Sequence, residues 1–226
     1  MADDLRSIVS ELMDAVGKSE SFEDVAERVV VAAASSVGTE MASLTLVGKR
    51  GVLETHGPTL ATAAEVDCLQ YALHEGPCVE AADNRRRLMS NDVAADPRWP
   101  KWGPAAAELG VRGVIAVDMS AAGHRLGALN IYSDEARTFT DVDVKTASLF
   151  AAIGATTIAS SRKVNQLSEG LVSRGVIGQA QGILMSQHRI DSAAAFAVLR
   201  RHSQDRNVRL ADVAHEIVDD REVAHE

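Results

Sequence analysis

The chain has 226 residues, enough for one large domain or two small ones with a buried core. Hydrophobic residues make up 46% and aromatics 4%, and the two cysteines, Cys68 and Cys78, exclude a disulfide framework and lack the Cys-x-x-Cys spacing of a zinc or redox site. A net charge of −9 excludes a uniformly basic, nucleic-acid-coating surface.

The first residues are acidic, with no apolar run behind them, so no secretory leader is expected. Leu5, Ile8, Val9, Leu12, Met13 and Val16 recur at helical steps up to Gly17. Ser21 and Asp24 have capping-box spacing, and Val25, Val29 and Ala32 continue a second helix. From Met41 the period becomes two, and Gly48-Lys-Arg-Gly51 turns the chain back through Val52-Leu53, which predicts a hairpin. Pro58 precedes a helix carrying Val66, Leu69 and Leu73 that stops at Gly76-Pro77. Arg87–Ser90 reads as a short strand and Asp96–Pro100 as loop. Val111–Met119 and Leu126–Tyr132 are strands joined by the turn at Ala121–His124. Strands linked by hairpins and interspersed with helices predict an antiparallel sheet with flanking helices.

Thr140-Asp-Val-Asp143 caps a long helix. Its weakly polar stretch Leu149–Ala159 is too short to cross a bilayer, and a cytoplasmic protein is expected. Val164, Leu167 and Leu171 keep heptad-like spacing, an apolar edge suited to a homodimer. Three amphipathic segments follow: Val176 to Leu184, a helix capped by Asp191 or Ser192 and bearing Phe196 and Leu199, and Leu210 to Val218. They predict an all-α, three-helix bundle. Gly178 and Gly182 weaken its first helix, so a neighbouring helix is expected to pack closely there.

Charge divides the same way. Residues 1–160 carry 14 basic and 23 acidic side chains, whereas 161–226 carry 9 of each. Between 174 and 209 six arginines meet only Asp191 and Asp205, a basic island between acidic flanks. Arg200, Arg201, Arg206 and Arg209 crowd the end of one helix and the following turn. Guanidinium groups bind phosphate bidentately and stack on splayed bases, so these four are candidate nucleic-acid contacts, with Arg174 a further one. Ser203 and Asn207 are candidate base-edge readers or, alternatively, helix-end and turn residues. In the first domain His74, Cys78, Arg98 and Trp99 are candidate ligand contacts, although aromatics there serve equally as core anchors. No second cluster completes a metal site around His74, Glu75 and Cys78.

The segment Ser173-Arg-Gly-Val-Ile-Gly-Gln-Ala-Gln-Gly-Ile-Leu-Met185, with Ala195-Phe196, Leu199-Arg-Arg-His-Ser203 and Asn207-x-x-Leu210-x-x-Val213-Ala214, resembles the ANTAR family. His74-Glu-Gly-Pro-Cys78, Asp96-Pro-Arg-Trp-Pro100, Gly110-Val-Arg-Gly-Val114 and Leu126-Gly-Ala-Leu-Asn-Ile-Tyr132 resemble the GAF sensor family. The resemblance implies an α+β GAF-type domain over 21–160, preceded by an N-terminal helix in 1–20. Its last helix, from about 141, continues as a connector into an all-α ANTAR domain over 161–226. It also implies a dimeric antiterminator that grips paired hairpins in nascent leader RNA. The sequence has no P-loop, His-Glu-x-x-His, Gly-x-Ser-x-Gly or Rossmann glycine fingerprint, so no enzymatic activity is expected. Family members usually carry lysine where this chain has Gln181, a further RNA-contact position. The sensed signal stays open among cyclic nucleotide, haem, another small molecule and a protein partner, so no cofactor is assigned. Two other readings compete. Leu210-x-x-Val213-Ala214 also opens a DNA-binding helix-turn-helix, which would need a basic recognition helix where only short acidic sequence remains. A GAF-fold redox enzyme would need more than Cys68 and Cys78.

Overall fold

The computed structural model describes residues 22–84, 86–135 and 139–223. The helix expected over Leu5–Val16 and the cap at Ser21 lie outside the described residues. Helix α1 (Phe22–Val37) buries Val25, Val29, Val30, Ala33 and Val37 along one stripe. Strands β1 (Met41–Val47) and β2 (Leu53–His56) form the predicted hairpin, paired from Leu44↔His56 to Val47↔Leu53. Helix α2 (Ala61–Leu73) ends as His74 turns left-handed.

Two helices go beyond the sequence expectation. Helix α3 (Pro77–Asn84) begins on the proline that was expected only to end its predecessor. Proline suits a first helical position, where its missing N–H would have had no intrahelical partner. Helix α4 (Trp102–Glu108) is too short to show a periodic stripe. Between them lies β3 (Arg87–Ser90). Strands β4 (Gly113–Ala121) and β5 (His124–Ser133) meet at Ala122-Gly123, both with positive φ (49° and 81°), as a tight two-residue hairpin turn requires.

The five strands form one antiparallel sheet in the order β2-β1-β5-β4-β3. Alternation divides its faces. Ala42, Leu44, Leu46, Ile115, Val117, Met119, Leu129 and Ile131 share a core with α1 and the start of helix α5 (Asp141–His188). Met41, Val114, Ala116, Ala128 and Tyr132 face the opposite core, built with α2, α3 and α4.

Helix α5 starts from a reciprocal cap. The backbone N–H of Thr140 donates to Asp143 Oδ2 at 2.8 Å, and Asp143 N–H to Thr140 Oγ1 at 3.4 Å. Its first part, Asp141–Ser161, is by length and composition apolar enough to span a bilayer, a longer stretch than Leu149–Ala159. Ala147, Phe150, Ala151, Ala155 and Ile158 within it are buried in the first core, which accounts for the apolarity. The chain divides into two compact units at Ser161/Arg162, within this helix.

In the second unit the Val176–Leu184 segment is no separate helix but the end of α5. Helix α6 (Ser192–Arg206) is capped by Asp191, whose Oδ1 accepts from Ala194 N–H at 2.8 Å, and α7 (Leu210–Val223) completes the bundle. Its core is Ala180, Leu184, Ala195, Leu199, Val213 and Ala214. Gly178 and Gly182 are not closely approached: a Cβ at either would meet nothing within 4 Å. They lie off the stripe of Ile177, Ala180 and Leu184, about 100–160° around the helix from those positions at 100° per residue.

Candidate functional site

In the first unit the second core encloses a polar centre that the sequence reading missed. On α2, Ala63, Val66, Asp67 and Gln70 are the buried positions, at the i, i+3, i+4, i+7 spacing of one helical face. Two of the four are polar, and this was the available signal. On the sheet, Ser43, Thr45 and Asn130 are fully buried among apolar neighbours.

These groups satisfy one another. Asp67 Oδ1 accepts from Tyr132 Oη at 2.5 Å and from Asn130 Nδ2 at 3.1 Å, and its Oδ2 accepts from Thr55 Oγ1 at 3.0 Å. Asn130 Nδ2 also reaches Thr45 Oγ1 at 2.8 Å. Gln70 Nε2 donates to Tyr132 Oη at 2.9 Å, and Tyr71 Oη lies 2.9 Å from both Thr45 and Thr55. None of these partners is cationic. Burial pushes the Asp67 carboxyl from its ordinary 3.8 up to about 6, against the hydrogen bonds that favour its charge. Burial first, and the Asp67 charge second, hold the Tyr71, Tyr132 and Cys78 protons on. Asn130 Oδ1 is buried with no hydrogen-bond partner. The centre therefore presents acceptors: a carboxylate and a free amide oxygen.

The His74–Cys78 segment frames this centre. His74 takes the left-handed φ of 50° that closes α2. Glu75 Oε1 accepts the N–H groups of Lys101 and Trp102, at 2.6 and 2.8 Å, at the start of α4. Gly76 leaves room for Gln70, whose Oε1 would stand 2.3 Å from a Cβ there and instead accepts from the Cys78 N–H at 2.8 Å. Cys78 is fully buried and Cys68 exposed, and neither forms a disulfide.

Arg98 is engaged elsewhere: its guanidinium binds both oxygens of Asp96, donates to the Met89 carbonyl at 2.7 Å, and lies 4.3 Å from the Trp99 ring centre. Trp99 packs edge-on against Trp102 at 5.7 Å, and both are core residues. Thus Cys78 borders the polar centre, whereas Arg98 and Trp99 stabilise the Asp96–Pro100 loop. A surface hollow of about 260 Å³, lined by Gly38–Met41, Leu60 and Ser133–Glu135, contains none of the expected ligand residues. Among the described residues no group of three His, Cys, Asp or Glu is arranged to hold a metal ion.

In the second unit Arg200, Arg201, Arg206 and Arg209 are all exposed, on α6 and the turn to α7. Three of them meet acids. Arg206 binds both carboxylate oxygens of Glu216, Arg201 lies 3.7 Å from Asp205, and Arg209 lies 3.5 Å from Asp212. Asn207 closes α6 in the left-handed conformation (φ 51°), and Ser203 Oγ donates to the Val208 carbonyl at 2.6 Å. Both hold the turn that presents Arg206 and Arg209. Gln181 Nε2 reaches Ser192 O and Oγ at 3.2 and 3.3 Å, so it fastens α5 to the start of α6. That end is about 20 Å from Arg206 along a helix rising 1.5 Å per residue. Arg174 is exposed, as is Leu171 (69%); the side chains of Val164 and Leu167 lie outside the described residues.

Two family models match: a GAF domain over residues 19–159 and an ANTAR domain over 165–218. No curated protein matches the chain at a significant level. Solved structures share the fold. The GAF domain of a phosphoenolpyruvate-protein phosphotransferase from Coxiella burnetii is 20% identical, covering 73% of this chain and 98% of its own, with a TM-score of 0.56. Free methionine-R-sulfoxide reductase from Neisseria meningitidis is 19% identical, covering 71% and 91%, at 0.54. A domain of a two-component sensor histidine kinase protein from Sinorhizobium meliloti is 16% identical, covering 64% and 94%, at 0.53. The chain belongs to the GAF domain family and carries an ANTAR domain behind its GAF domain, the architecture of a regulator with a sensory domain.

Proposed function

We propose that the protein is a signal-responsive antitermination regulator, in which the GAF domain controls how the ANTAR domain binds paired hairpins in nascent leader RNA. The observation carrying this reading is the ANTAR match over 165–218, coinciding with a three-helix bundle that presents four exposed arginines around one helix–turn–helix corner. Guanidinium forks at such a corner suit loop phosphates and unstacked bases. The polar centre around Asp67 is where a signal would act on the sensor. The reading includes a cytoplasmic homodimer, supported by the exposed Leu171 and Val172 on α5.

The helix-turn-helix alternative calls for a basic helix in a major groove, whereas α7 carries five acids against one arginine. Of the two cysteines the enzyme alternative could use, Cys78 is fully buried, with its thiol pushed up by burial, and only Cys68 is exposed. Crosslinking the protein to cellular RNA and sequencing the bound fragments tests the proposal. Paired stem–loops upstream of terminators are the expected yield; fragments without such pairs would overturn it.

A further inference from the structure

The arginine corner carries its own counter-ions. From Ser192 to Glu216 there are four arginines and three acids, and each acid sits on an arginine. Arg201–Asp205 and Arg209–Asp212 are pairs of near neighbours, four and three residues apart and well exposed, and such pairs hold little. Arg206–Glu216 differs. It spans ten residues, joins the last residue of α6 to α7, and engages two guanidinium nitrogens with two carboxylate oxygens, Nη2 to Oε1 at 2.9 Å. This fork-to-fork geometry is also how a guanidinium binds a phosphodiester.

We propose that Glu216 is a specificity-determining residue of the RNA face: seated on Arg206, it keeps the face charge-balanced, so that an RNA fold presenting a phosphate in register displaces it while loose polyanions do not. This rests on the RNA-binding reading above. Non-specific binding to nucleic acid is set by how many phosphates the protein neutralises, whatever their geometry. Between Ser192 and Glu216 the four arginines and three acids leave a net charge of only +1, so an unstructured strand gains little. A phosphate held in place by a folded hairpin takes over the Arg206 fork, and Glu216, half-exposed, turns into solvent.

The test compares full-length wild type, Glu216→Gln, Arg206→Ala, their double variant and Arg200→Ala, with circular dichroism confirming the fold. The probes are a synthetic tandem stem–loop RNA and unstructured poly(U), each titrated with salt. Glu216→Gln is expected to bind poly(U) several-fold more tightly and to steepen its log–log salt slope by about 0.7, the increment for one more neutralised charge on a single strand. Tandem-hairpin affinity rises less, so discrimination falls, and Arg206→Ala abolishes the gain. If Glu216→Gln leaves poly(U) binding and slope unchanged while Arg206→Ala weakens hairpin binding, Glu216 only fastens the turn and the proposal is overturned. A poly(U) gain that persists without Arg206 overturns it too. If Arg206→Ala and Arg200→Ala both leave hairpin binding unchanged, the RNA face itself is misplaced and this inference falls with it.

Discussion

At the scale of single residues, Asp67 is where the fold works against its own stability. Its carboxyl is fully buried, its partners are neutral hydroxyl and amide groups, and it is pushed up to about 6. Between its ordinary 3.8 and about 6 the folded chain holds a proton that the unfolded chain has released. Stability from this group is therefore fully present below pH 4 and is lost as pH rises through 6. At about 1.4 kcal/mol per pH unit, the loss is about 3 kcal/mol. Asp67→Asn removes the charge and can still accept from Tyr132 and donate to Thr55 Oγ1. The variant is expected to be more stable than wild type at pH 7 by up to that amount, and equal to it near pH 4. Denaturant titrations at both values decide this; a less stable variant at pH 7 would show that the charge itself is compensated. Asp96 does not interfere, because its pairing with Arg98 holds its carboxyl down at about 2 and moves its effect to the opposite, acidic side of this window. The polar centre escaped the sequence for a physical reason. Asp67, Gln70 and Asn130 are individually ordinary polar residues, and only the packing of α2 on β1 and β5 makes them one site. The arginine corner was legible because charge clusters along the chain; its pairing was not, since Glu216 lies ten residues from Arg206 and belongs to another helix.

At the scale of elements, hairpins resolved what was paired, whereas periodicity divided the 48-residue α5 into a connector and a separate Val176–Leu184 helix. β3 runs Arg87–Ser90 as the sequence predicts, and β4 and β5 each differ by only one or two residues at their ends. The eight-residue α3 and seven-residue α4 were missed because two turns of helix carry too little periodicity to stand out beside prolines. The glycines of α5 were legible as a cost but not as a cause. Gly178 adopts ordinary helical backbone with open space where a side chain would go. Gly178→Ala is therefore expected to stabilise the protein by roughly 0.5–1 kcal/mol, by restricting the unfolded chain and improving helix propensity. Chemical denaturation measures it. A lower stability would mean that another surface approaches α5 at Gly178 in the assembled protein.

At the scale of the whole molecule, the proposed function turns on valency. One ANTAR copy offers one arginine corner, and the proposed RNA target has two hairpins. If two chains associate through the α5 edge, the second hairpin binds at an effective concentration in the millimolar range, and avidity gains of about 10²–10⁴ follow without new contacts. Leu171 is 69% exposed and Val172 58%, so each leaves apolar surface that a second copy would cover. Light scattering is expected to give about twice the 24.0 kDa chain mass. Leu171→Glu places a carboxylate at that edge and should yield a monomer with an intact fold, because the side chain it replaces packs against neither core. The consequence for RNA separates avidity from contact. The monomeric variant should bind a single hairpin as wild type does, yet lose about a hundredfold or more on a tandem-hairpin RNA. Equal losses on both RNAs would place Leu171 in the RNA contact itself, and a dimer that survives the substitution would place the subunit interface on another face of the chain.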